Sequence, residues 1–113
     1  MIYMVDVDLT ICRTSYINNR ADYLMAEPIY DRIAVINRLY DEGHTINYWT
    51  ARGSGSGIDW SEFTRRQLIY WGCKFHSCKT GKPSYDIWID DKAINDKDFF
   101  YESNESRINK TEE

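Results

Sequence analysis

Two hydrophobic periods alternate along this chain. Residues 2–5, Ile-Tyr-Met-Val, form a short apolar run of strand type that stops at Asp6. A strand burying Ile2, Met4 and Val5 has its carboxyl end there. Residues 9–27 are mixed and polar, with Asn18-Asn19-Arg20 in their middle, and read as a loop. From Pro28 to about Glu42 the period changes. Ile29, Ile33, Ile36 and Tyr40 recur at intervals of three and four, the stripe of an amphipathic helix. Pro28 suits its first turn, and Gly43 suits its C-terminal cap. Residues 44–50 read as a second strand, followed by a glycine- and serine-rich loop over 51–57. Asp59, with Glu62 three residues later, resembles a capping box. The helix it opens runs to Trp71, buries Phe63, Leu68 and Trp71, and ends at Gly72. A short third strand is expected over 74–77 and a turn over 80–83. The run Tyr85-Asp86-Ile87-Trp88-Ile89 reads as a buried strand ending in Asp90-Asp91. A last short strand or helix is expected near 93–101.

Strands alternating with helices in this way predict an α/β fold. Its sheet is mainly parallel, with right-handed crossovers and helices on both faces. The length of 113 residues suits a single domain, and a second folded domain would not fit. The expected core is 1–102, and 103–113 is a polar C-terminal tail that should fray. There are no internal repeats and no interdomain linker.

Composition narrows the partners. The net charge is −4 and no dense basic run is present. This argues against nucleic acid, whose phosphate backbone calls for clustered Lys and Arg. No apolar run approaches the length of a membrane span, so no membrane partner is expected. The first residues show no basic region followed by an apolar stretch, as a signal peptide would. The three cysteines, Cys12, Cys73 and Cys78, are odd in number and include no CxxC. Together these features predict a reducing, cytoplasmic setting. Cys73, His76 and Cys78 lack zinc-site spacing and a clear fourth ligand, so they read as structural residues.

Candidate chemistry collects at one place. In open α/β sheets ligands bind beyond the carboxyl ends of the strands. Asp6 and Asp8 follow the first strand, Thr50 ends the second, Lys82 precedes the last clear strand, and Asp90 and Asp91 end it. All of them therefore share one sheet edge. Asp6 and Asp8 alone also fit a plain pair of turn carboxylates. Taken together, the set suits phosphoryl transfer. One carboxylate can attack as nucleophile while its neighbour handles a proton. Lys82 can neutralise phosphate oxygens and the Thr50 hydroxyl can donate to one. Mg²⁺ on Asp6, Asp90 or Asp91 would shield the charge that repels the nucleophile.

The chain resembles phosphatases of the haloacid dehalogenase superfamily. Four motifs of that family stand in order: Asp6-Val7-Asp8-Leu9-Thr10; Thr50 in Tyr48-Trp49-Thr50-Ala51-Arg52; Lys82 in Gly81-Lys82-Pro83; and Asp90-Asp91 in Ile89-Asp90-Asp91-Lys92. Lys79 is a rival to Lys82, which the Gly-Lys-Pro context favours. One departure is Leu9, where many relatives carry glycine. The resemblance spans 2–101 and implies a Rossmann-like three-layer αβα sandwich with an aspartyl-phosphate intermediate on Asp6. It further implies Asp8 as general acid and base, and Thr50 and Lys82 as phosphate holders. Mg²⁺ would sit on Asp6, Asp90 and the Asp8 backbone carbonyl, with Asp91 a direct or water-mediated ligand. Many relatives insert a cap domain, for which this chain has no room, so no cap domain is expected. The loops over 11–27 and 51–58 would then contact the substrate, through Arg13, Tyr16, Asn18 and Arg52. The implied partner is a small phosphorylated metabolite, a sugar, polyol or amino-alcohol phosphate such as a capsular polysaccharide precursor. The oligomeric state stays open, a homo-oligomer included. Two alternatives differ in class. A receiver-like phosphoacceptor domain uses similar residues, but its acidic pair comes early rather than after the lysine. A catalytically inactive relative kept as a binding module would not need every catalytic side chain, and all are present.

Overall fold

A computed structural model describes residues 1–100, so the expected tail over 103–113 lies outside the described residues. The elements in chain order are β1 (Ile2–Val5), β2 (Cys12–Ile17), β3 (Arg20–Pro28), α1 (Tyr30–Asp41), β4 (Thr45–Trp49), α2 (Ser61–Tyr70) and β5 (Ser77–Lys79). Residues 96–100 are also helical. The fold is α/β and Rossmann-like, built on a three-stranded parallel sheet in the order β1-β4-β5. Ile2 to Val5 lie against Thr45 to Tyr48, and Asn47 to Trp49 lie against Ser77 to Lys79. All three strands therefore point their carboxyl ends the same way.

The central strand carries the core. Ile46 and Tyr48 on β4 are fully buried, with Val5 and Val7 from the first strand and its turn, Ile33 and Ile36 from α1, and Leu68 from α2. Strand alternation decides which residues of β1 join them. Val5 and Val7 face inward and Tyr3 is partly buried, so Ile2 and Met4 point the other way and are exposed, contrary to the expected burial. Gly43 takes a left-handed φ of 97° just beyond α1, which is what ends that helix. Asp59 does not serve as the N-cap of α2. It lies one residue early, accepting the Ser61 N–H at 2.9 Å, and Trp60 holds the cap position.

Two segments differ from expectation. Within residues 9–27, expected as loop, an antiparallel hairpin forms, and Pro28, expected in the first turn of the helix, instead ends its second strand, paired with Cys12. Its tip is Asn18-Asn19, with φ of 51° and 63°, between the paired residues Ile17 and Arg20. Two consecutive left-handed residues make the turn whose twist matches a hairpin, and asparagine is among the few side chains that tolerate it. Residues 80–95, expected to include a buried strand over 85–89, hold no helix or strand. Ile87 and Ile89 are exposed. Local contacts account for this: Tyr85 and Trp88 lie over the Lys82 ammonium, and the Trp88 indole N–H donates to Asp90.

Candidate active site

The turn after β1 sets the first two carboxylates. The N–H groups of Thr10 and Ile11 both donate to the Val7 carbonyl, and Leu9 takes a φ of 64°. A left-handed residue is what the turn requires there, and a leucine meets that need at a cost of roughly 1–2 kcal/mol. The turn brings Thr10 back under Asp6, whose Oδ2 accepts the Thr10 hydroxyl at 3.1 Å. Asp6 Oδ1 is left facing Lys82 Nζ at 3.4 Å. Lys82 reaches it because its N–H donates to the Thr50 carbonyl, which pins the loop after β5 across the end of β4.

Thr50 is buried at the end of β4. Its Oγ1 accepts the Arg52 N–H at 3.2 Å, which leaves the hydroxyl hydrogen available to a ligand. Asp6, Asp8, Thr50 and Lys82 share the wall of a cavity of about 340 Å³ with Arg52, Tyr16, Tyr23 and Tyr85. That volume lies within the range of small-ligand sites. A larger hollow of about 450 Å³ is lined by Tyr40, Cys73, His76 and Cys78, among others, and holds no carboxylate. His76 there accepts the Ile46 N–H through Nδ1, a structural task. The four candidate catalytic residues thus meet at the smaller cavity.

Arg52 differs from its expected role. It was expected to meet substrate from a loop, yet its side chain is fully buried. Its Nε donates to Asp8 Oδ2 and its Nη2 to Asp8 Oδ1, each at 2.9 Å. Its remaining nitrogen donates to Thr64 and Gln67 of α2. The Tyr23 ring covers the guanidinium at 4.5 Å. A guanidinium fork matched to a carboxylate is the strong form of ion pair. Thr14 also donates to Asp8 Oδ1, and the Cys12 sulfur lies between that oxygen at 3.7 Å and the Val7 carbonyl at 3.5 Å. Burial pushes the Cys12 thiol up to about 11, so it stays protonated as a donor. Periodicity carries no sign of this arrangement. The one available signal was the closeness of Arg52 to Thr50, which placed it at the site without showing which way it turns.

The other expected residues disperse. Tyr16 lines the cavity, whereas Arg13 is exposed on β2 and Asn18 sits at the hairpin tip; neither is part of the cavity wall. Lys79 is exposed on β5 and takes no part in the wall. Asp90 and Asp91 are exposed in the 80–95 segment. The Lys92 N–H and then the Trp88 indole hold the Asp90 carboxyl below its ordinary value. Among the described residues no three acidic, histidine or cysteine side chains gather closely enough to hold a metal ion. The expected set of Asp6, Asp8, Asp90 and Asp91 is therefore not drawn together. Donor chemistry still separates its members. The Asp8 carboxylate is taken up by Arg52 and does not suit a cation. Asp6 Oδ1, with one long contact to Lys82, and the exposed Asp90 and Asp91 are hard oxygen donors of the kind Mg²⁺ takes.

Comparison with known proteins supports the fold alone. No protein-family model and no curated protein matches the chain. The chain is similar to a crystal structure from Vibrio cholerae, named only as a structural-genomics target. The TM-score is 0.72 at 23% identity, over 88% of this chain and 86% of that one. Among the described residues no helix is long and apolar enough to cross a membrane.

Proposed function

We propose that this protein is a Mg²⁺-dependent phosphatase of haloacid dehalogenase type. It hydrolyses a small phosphate monoester through an aspartyl-phosphate on Asp6. The observation that carries this reading is the Asp6–Lys82 contact at 3.4 Å on the wall of a cavity shared with Asp8 and Thr50. An Asp6 carboxylate oxygen attacks phosphorus while Asp8, which carries a proton at the start of the cycle, gives it to the leaving ester oxygen, and the P–O ester bond breaks. Water then attacks phosphorus, Asp8 takes the water proton, and the bond to Asp6 breaks to release phosphate. Lys82 and the Thr50 hydroxyl hold the non-bridging oxygens, where charge must be offset throughout. Mg²⁺, when bound, would lie on Asp6, the Asp8 carbonyl, Asp90 and, directly or through water, Asp91, and would supply charge neutralisation of the phosphate.

The finer architecture in this reading is a three-layer αβα sandwich without a cap domain, the β2–β3 hairpin standing beside the cavity in a cap's place. A cavity of about 340 Å³ with three tyrosines suits a sugar, polyol or amino-alcohol phosphate, as in a capsular polysaccharide precursor. The reading includes a cytoplasmic location. The receiver-like and inactive-module alternatives predict no turnover of phosphate esters. A panel of phosphorylated metabolites assayed for phosphate release, with Mg²⁺ and with chelator, tests the reading. Turnover is expected with Mg²⁺ only, and Asp6→Asn should abolish it. Full activity of pure Asp6→Asn protein would overturn the covalent mechanism.

A further inference from the structure

Asp8 has two carboxylate oxygens in unequal surroundings. Oδ1 accepts from Arg52 Nη2 and Thr14, with the Cys12 sulfur packed beside it at 3.7 Å, and so has no room for another partner. Oδ2 accepts from Arg52 Nε alone. A carboxylate oxygen has room for about two hydrogen-bonding partners, so the place on Asp8 where the transferred proton can come and go is Oδ2. The group that creates this asymmetry is itself held from two directions. Thr64 and Gln67 fix Arg52 to α2, and the Tyr23 ring fixes it to β3. Gln67 also donates through Nε2 to the Tyr23 carbonyl at 2.8 Å, closing the link between helix and hairpin.

We propose that Arg52 is a positioning residue that selects Asp8 Oδ2 as the proton-transferring oxygen and ties its direction to the seating of the β2–β3 hairpin. The proposal rests on the phosphatase reading. Arg52 borders the cavity, but its side chain is fully buried and all three of its nitrogens are engaged, so it acts through Asp8. Lysine keeps the charge but loses the fork, so Arg52→Lys frees Asp8 to rotate.

The test uses purified full-length protein and two phosphate esters, one with an alkyl leaving group that needs a proton and one with nitrophenol, which does not. Arg52→Lys should lower kcat for the alkyl ester about tenfold or more beyond its effect on the nitrophenyl ester, within the range of acid–base help. In an Asp8→Asn background it should add almost nothing, because the two residues act as one unit. Equal losses on both esters, or independent effects in the double variant, would overturn the proposal. A second readout needs no turnover. The Arg52 Nε–H resonance of the metal-free protein should be shielded from exchange and should move in Asp8→Asn and in Tyr23→Leu. An Nε–H signal indifferent to both changes would also overturn it. If Arg52→Lys fails to fold, Gln67→Met, which loosens one of its anchors, should show the same leaving-group contrast at smaller size, and its absence counts against the proposal. Failure of the wild-type protein to hydrolyse any ester defeats the phosphatase reading; wild-type turnover with no leaving-group contrast defeats the role of Arg52 alone.

Discussion

The two acidic pairs of this molecule are built in opposite ways. Asp6 and Asp8 are held both by the turn and strand that follow them, through Thr10 and Thr14, and by side chains from distant parts of the chain, Arg52 and Lys82. Asp90 is held by its own neighbours, Trp88 and Lys92, two residues away on either side. The first pair is oriented by the fold before any ligand arrives. The second is oriented by local turns and is exposed to water. Preorganised groups suit steps where direction matters, such as in-line attack and proton transfer. Exposed, locally tethered carboxylates suit recruitment of a cation, whose charge repays their gathering.

Breaking the preorganised side should have the largest effect. Asp8→Asn should lower turnover of an alkyl phosphate by about 10²–10⁴-fold, and much less for nitrophenyl phosphate. Steady-state kinetics on both esters decides this, and an equal loss would assign Asp8 a structural role instead. Breaking the recruiting side should look different. Asp90→Asn should raise the Mg²⁺ concentration for half-maximal activity by roughly 10–100-fold, the scale seen when groups supporting a metal site are removed. Saturating Mg²⁺ should restore most of kcat, and a loss that no Mg²⁺ concentration reverses would place Asp90 in the chemistry. The smallest effect concerns the packing under the first pair. Burial raises the Cys12 thiol from 9.0 to about 11 and the Cys73 thiol from 9.0 to about 12. The folded chain holds these protons more tightly than the unfolded chain. Their contribution to stability is therefore complete below about pH 9 and lost as pH rises through 11 and 12. Thermal unfolding followed from pH 8 to 11 should show Tm falling above pH 9, with a shallower fall in Cys73→Ala. Identical slopes would remove Cys73 from the account.

Legibility in the sequence followed from how strong each periodic signal is. The α1 stripe predicted Ile33 and Ile36 correctly, because a helix repeats its signal over several turns. The strand at 44–50 showed plainly through its apolar residues and its position before a glycine-rich loop. The hairpin did not. Its buried positions, Cys12 and Thr14, are small and half polar, and Leu24 and Met25 are exposed, so alternation is blurred. Its clear signal was Asn18-Asn19, a pair suited to left-handed turns. The run over 85–89 misled for the converse reason. A short apolar run cannot tell a core strand from a segment whose aromatics fold onto a nearby ammonium. At the site, strand ends placed Asp6, Asp8, Thr50 and Lys82 at one edge without any knowledge of side-chain direction. Direction is what Arg52 depended on, and it is set by partners 12 to 44 residues away.

Before any cation binds, Arg52 neutralises Asp8 and Lys82 neutralises Asp6 beside the cavity. A dianion approaching the metal-free chain, whose overall charge is −4, therefore meets no net positive field there, and any long-range attraction has to come with the cation. Electrostatic steering needs an uncompensated patch of opposite sign. Without the cation, arrival at this cavity is paced by diffusion and orientation, and attraction begins only within contact range, where Lys82 and the Thr50 hydroxyl can be reached one oxygen at a time.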